Sequence, residues 1–166
     1  MTFANRVSQV LHDEHRATIA LMERLEQTLG RHRGTPPDRA DVAVTKLLTE
    51  LAVDLEAEVQ RHFDFEESQL FPYLEAAGDE AIGAHLTSEH HAMRPLGLSL
   101  AGLARDAAKD GFDQERWNEF RRLGTELCDR MLSHVQKEEM ALLPLLDEVM
   151  DPEAEARLYE EYTGNA

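Results

Sequence analysis

The second half of the chain repeats a pattern found in its first half. Leu11-His12-Asp13-Glu14-His15 and Leu86-Thr87-Ser88-Glu89-His90 share Leu-x-x-Glu-His, and the stretches from His62 to Leu74 and from His134 to Leu146 both read H-x-x-x-E-E-x-x-L-x-P-x-L. Two copies of one helical hairpin bury their apolar faces most simply by packing on each other about an approximate twofold axis. That packing sets four His-bearing faces around one line. Spacing adds a second constraint, because a His and a Glu four residues apart lie on one face of a helix. His62 with Glu66, and His134 with Glu138, therefore each aim two donor groups the same way.

Apolar periodicity extends these motifs into four long helices, separated by breakers at 30–38, around Gly78, and at 109–113. Their inward stripes run Val7, Leu11, Thr18, Met22, Leu25 and Leu29; then Val44, Leu48, Leu51, Leu55 and Val59; then Leu86, Met93, Gly97, Leu100 and Ala104; then Trp117, Phe120, Leu123, Leu127 and Met131. The expected spans are about 2–29, 38–70, 82–108 and 114–143. Short linkers make neighbours antiparallel, so the predicted fold is all-α, an up-down-up-down four-helix bundle with a short C-terminal extra helix. One domain is expected over 1–166, its core at about 5–146 and an extension at 147–166. Asp151 followed by Pro152 reads as the start of the extra helix. Pro95 is expected to kink the third helix beside His90, and Pro72 and Pro144 to break the ends of the second and fourth.

His15, His62, His90, His134, Glu66 and Glu138 all fall on the buried stripes. A carboxylate buried without a partner costs several kcal/mol or takes up a proton, so two such pairs and two further imidazoles are hard to accommodate as inert packing. A metal cluster removes that cost. Four imidazoles and two carboxylates, with no thiolate, suit borderline cations such as iron. Glu58, one turn before His62 on the same face, is a candidate for an additional oxygen ligand. His12, His32, His85 and His91 lie outside the repeat register and read as surface or supporting groups. Glu14, Glu67, Glu89 and Glu139, next to the ligand face, read first as solvated or helix-pairing residues, with support of the ligands as the alternative.

Several chemistries are excluded. There is no Gly-rich phosphate loop, no G-x-S-x-G elbow, no H-E-x-x-H zinc motif and no Glu-x-x-His di-iron motif. With 33 Asp plus Glu against 17 Lys plus Arg, the net charge of -16 repels phosphate backbones and anionic lipid, so no nucleic acid or membrane partner is expected. Cys128 stands alone, so it forms no intramolecular disulfide or Cys-based metal site and reads as a small core residue. Without an apolar leader or a spanning segment, the expectation is a soluble, unexported chain in a reducing, cytoplasmic compartment.

Through Glu14-His15, His62-x-x-x-Glu66, Glu89-His90 and His134-x-x-x-Glu138, each hairpin closing on Leu-Phe-Pro or Leu-Leu-Pro, residues 5 to 146 resemble the hemerythrin-like, HHE cation-binding family. The resemblance implies two Fe ions held by His15, His62, His90 and His134, bridged by Glu66 and Glu138 and by an oxo or hydroxo group. Oxygen-carrying hemerythrins place a further His one turn after the third-helix His, where this chain has Arg94. That departure implies a coordination position left open, or filled by Glu58 or water. The implied chemistry widens from reversible oxygen carriage to reaction with or sensing of O2, peroxide or nitric oxide, or the handling of iron. A di-iron enzyme consuming peroxide and a metal-free acidic helical interaction module are the alternatives, and the protein partner is unknown.

Overall fold

The computed structural model describes residues 2–164, which are helical with short connections and contain no strand. The first helix, α1, spans Arg6–Arg31. It starts at Arg6 because Asn5 caps it, its side chain accepting from Ser8 N at 2.7 Å. Helix α2 runs through 42–76 and likewise starts later than expected, because the Asp41 carboxylate caps it through Ala43 N and Val44 N. Helix α3 covers Ala81–Asp110 and continues in α-helical form through Pro95, ending at Gly111 with φ of +73°. Helix α4 runs through 114–149 from an Asp113 cap. Helix α5, Pro152–Gly164, begins where the Asp151 carboxylate accepts from Ala154 N at 2.8 Å.

Pro72 and Pro144 do not end α2 and α4 as expected. Each helix widens into a π-helical turn just before its proline, at Glu66–Leu70 and Glu138–Leu142, and then resumes to Ala76 and Val149. A proline ring collides with the carbonyl four residues earlier, which here belongs to Ser68 or Met140, and a widened turn relieves that collision without breaking the helix. The Glu of each H-x-x-x-E motif opens the widened turn.

Cross-helix contacts fix the packing directions. Along α1 and α4, Asn5 meets Asp147, His15 meets Glu139, Met22 meets Cys128, and the carbonyl of His32, just past α1, accepts from Trp117, so the two helices run oppositely. Along α2 and α3, Arg105 meets Glu56, Arg94 donates to Val59 O, and Gly83 lies on Phe71, again in opposite directions. Every residue of the four expected inward stripes is buried. The apolar core divides in two: one cluster holds Met22, Leu55, Val59, Phe63, Met93, Leu127 and Met131, the other Leu11, Leu70, Leu74, Leu86, Leu142, Leu146 and, from α5, Leu158. A layer of buried polar side chains, His15, His62, Glu66, His90, His134 and Glu138, completes the interior. Among the described residues, no helix is long and apolar enough to cross a membrane.

Gly97 shows how closely α2 and α3 approach beside this layer. A Cβ at that position would stand 2.6 Å from Val59 Cγ1. Gly97→Ala is expected to cost about 1–3 kcal/mol in denaturant unfolding, because Val59 is itself fully buried and cannot swing aside.

Candidate metal centre

The two repeats bring all six sequence-predicted donors together. His15, His62, Glu66 and Glu138 offer one group of ligand atoms, and Glu66, His90, His134 and Glu138 a second, with the atoms of each group within 4.8 Å of one another. Both carboxylates belong to both groups, and each divides its oxygens between them. Glu66 turns Oε1 to His62 Nε2 at 3.0 Å and Oε2 to His90 Nε2 at 3.2 Å. Glu138 turns Oε2 to His15 Nε2 and Oε1 to His134 Nε2, each at 2.7 Å. The two carboxylates thus join the two donor groups.

Hydrogen bonding alone does not satisfy the layer. His15 Nε2, Glu66 Oε2 and both Glu138 oxygens are buried without a hydrogen-bond partner, since their close approaches are poorly aligned for a ring N–H donor. His90 Nε2 and His134 Nε2 face each other at 3.1 Å, where at most one can donate to the other. Converging lone pairs of this kind are the donor set a divalent or trivalent cation satisfies. A cation-binding domain is what such a donor set suggests, and the family comparison agrees. The model of the hemerythrin HHE cation-binding domain matches residues 6–146.

The chain belongs to the hemerythrin HHE cation-binding family.

Curated proteins offer no match to it. The hemerythrin match covers both repeats and all six converging donors, and stops short of α5.

Behind the donors of this hemerythrin domain stands a ring of carboxylates for which the sequence favours solvated or helix-pairing faces over support of the ligands. Glu139 accepts from His15 Nδ1 at 2.6 Å, Glu14 from His62 Nδ1 at 3.0 Å, Glu67 from His90 Nδ1 at 2.8 Å and Glu89 from His134 Nδ1 at 2.8 Å. Each is therefore half-buried support for an imidazole rather than solvated surface. A carboxylate only accepts, so Nδ1 keeps its proton and, once the ring is neutral, Nε2 presents its lone pair inward. A further donor holds each carboxylate in turn: His12 on Glu139, Tyr162 on Glu14, Arg94 on Glu67 and Lys137 on Glu89. Phe63 stacks on His90 with ring centroids 3.9 Å apart, fixing that ring's plane. The signal was present in the sequence as Glu-His and Glu-Glu doublets in both repeats; its meaning depended on which neighbouring helix the second Glu would face.

Arg94 does not reach the converging nitrogens. It forks onto both oxygens of Glu67 at 3.0 Å and donates to Val59 O and Asp64, so the position supports His90 from behind. Glu58 also lies apart from both donor groups: its Oε2 is 3.5 Å from His62 Nδ1, on the opposite side of the ring from Nε2. It lines a cavity of about 160 Å³ that reaches His62 between α1 and α2. His85 and His91 are exposed, as expected for residues outside the register, and His32 packs edge-on to Trp117.

Protons stand in the electrostatics where cations would act. Burial alone would lower the pKa of His15, but Glu138 and Glu139 outweigh it and raise it to about 9. Burial is likewise outweighed at His90, where Glu138 and Glu66 bring the value to about 9. His62 and His134 are raised too, against burial, by the glutamates around them. Burial pushes Glu138 up, yet His134, His15 and His90 hold it well below the ordinary carboxylate range. Glu58 keeps a raised value: burial dominates and His62 only partly compensates. Cys128 is buried away from this layer, and burial, with Glu26 and Asp129, pushes its thiol up to about 12, so it is no nucleophile.

Proposed function

We propose that this chain is a non-haem di-iron protein built as an up-down-up-down four-helix bundle with an added C-terminal helix. In this reading His15 and His62 are ligands to one iron and His90 and His134 to the other, while Glu66 and Glu138 bridge them. The observation that carries it is the sharing of both carboxylates, each split by oxygen, between two donor groups. When bound, the iron pair supplies Lewis acidity and one-electron redox change toward O2, peroxide or nitric oxide.

The chain's own residues prepare the site for that chemistry. Glu139, Glu14, Glu67 and Glu89 hold the four Nδ1 protons, which orients each ring and keeps each Nε2 available. The apolar clusters in the interior limit water at the layer. The cavity beside His62 gives a diatomic molecule or peroxide a way in. We read the protein as binding or sensing such a ligand, or handling iron. A reading as a metal-free acidic interaction module gains nothing from four buried polar atoms without hydrogen bonds.

Peroxide consumption is the second reading, favoured by Glu58. Its carboxyl lines the cavity that reaches His62, and burial raises its pKa, which favours a proton-carrying role in the disproportionation of two peroxides to oxygen and water. Loading with ferrous iron should saturate at two ions per chain. Oxygen evolution from added peroxide by that protein, lost in His62→Ala, would establish the enzymatic reading; two bound irons with no oxygen evolved would leave the binding and sensing reading in place.

A further inference from the structure

Helix α5 lies beyond the residues matched by the family, and one of its side chains is part of the site's construction. Tyr162 is 4% exposed and its hydroxyl donates to Glu14 Oε2 at 2.5 Å, the same oxygen that accepts from His62 Nδ1 at 3.0 Å. Arg61 locks the arrangement from α2: its guanidinium lies 4.2 Å above the Tyr162 ring, one nitrogen donates to the Tyr162 carbonyl at 2.8 Å, and another to Glu14 Oε1 at 3.3 Å. Phe65 stacks on the other side of the ring at 4.2 Å. Tyr162 also lines the cavity that reaches His62.

The corresponding place in the other repeat is built differently. Glu89, the counterpart of Glu14, supports His134 and is held by Lys137, a full cation belonging to α4 itself. Glu14 also meets a cation, Arg61 on its other oxygen, but the hydroxyl on its imidazole-bound oxygen comes from α5. Of the two glutamates, only Glu14 has its imidazole-bound oxygen held by a residue outside the family's match.

We propose that α5 is an accessory clamp in which Tyr162 acts as a positioning residue, holding Glu14 on His62 Nδ1 and so tightening the cation bound at His15 and His62 but not the one at His90 and His134. The proposal rests on the di-iron reading. Tyr162→Phe tests it, since the ring keeps its packing on Phe65 and Arg61 and loses the hydroxyl alone. Supporting carboxylates and their partners typically change metal affinity about 10–100-fold, so release of one iron to an excess of ferrous chelator is expected to quicken roughly tenfold while the other leaves at the wild-type rate. Mössbauer spectra of the iron-loaded variant should show one of two subspectra shifted.

Tyr73→Phe serves as the control, because Tyr73 donates to Val149 O, far from any donor nitrogen, and its loss should lower the melting temperature without changing iron release. If Tyr162→Phe lowers the melting temperature yet releases both irons at wild-type rates, Tyr162 is packing and the clamp is wrong. Quickening of both irons equally would also overturn it. Wild-type protein that takes up fewer than two irons would overturn the di-iron reading instead, which separates the two failures.

Discussion

Glu138→Ala is expected to abolish binding of both irons, taking the loaded protein from two ions per chain to none at micromolar free iron. Glu138 faces four imidazoles, with Oε2 at 2.7 Å from His15 Nε2 and 4.0 Å from His62 Nε2, and Oε1 at 2.7 Å from His134 Nε2 and 3.9 Å from His90 Nε2. Its removal takes one ligand from each proposed iron together with one of the two bridges. The metal-free protein also suffers, because the four buried imidazoles lose an anion that favours their charged form; breaking such a buried pairing costs about 3–5 kcal/mol. Glu139→Ala, one residue on, removes only the support behind His15, so it should leave two irons bound and loosen them about 10–100-fold. Iron analysis after gel filtration, with urea unfolding of the metal-free proteins, reads both effects. Two irons retained at wild-type affinity in Glu138→Ala would remove the bridge from the account.

The second large effect is on pH. In the metal-free protein His15 and His90 titrate near 9, above the ordinary 6.5, because burial is outweighed by Glu138 with Glu139 at His15 and by Glu138 with Glu66 at His90. A folded pKa above the unfolded one gives stability fully present below about pH 6.5 and lost as pH rises through about 9. Iron binding runs the other way, since each imidazole must give up its Nε2 proton to bind. Affinity should therefore climb about tenfold per pH unit for each proton displaced, approaching a hundredfold per unit while both histidines titrate. Melting of the metal-free protein should fall between pH 6.5 and 9, the iron-dependent increment should grow over the same interval, and iron should leave below about pH 5. An iron affinity independent of pH between 6.5 and 9 would show that these imidazoles are not displaced protons' former sites.

The six donors were legible because helical periodicity and the doubled H-x-x-x-E pattern both bear on the face toward the axis, and a residue four positions on returns to that face. What lies one residue further on is harder to read. Glu67 and Glu139 follow their bridging neighbours by about 100° around the helix, which looks like solvent on a helical wheel; in the fold that direction meets Nδ1 of a histidine on the adjacent helix. Glu58 is harder to read for a related reason: sharing a stripe with His62 brings it to that ring but to Nδ1 rather than Nε2. The ends of α2 and α4 were misjudged because proline was read as a terminator, whereas a π-helical turn absorbed it. Tyr162 carried no local signal, since its part in the site depends on where α5 docks.

Anomalous diffraction at the iron absorption edge, from crystals of the iron-loaded protein, tests the central claim most directly. The account predicts two peaks between the Glu66 and Glu138 carboxylates, one beside His15 and His62 and the other beside His90 and His134. A lone peak there, or iron bound only on the acidic exterior, would contradict it.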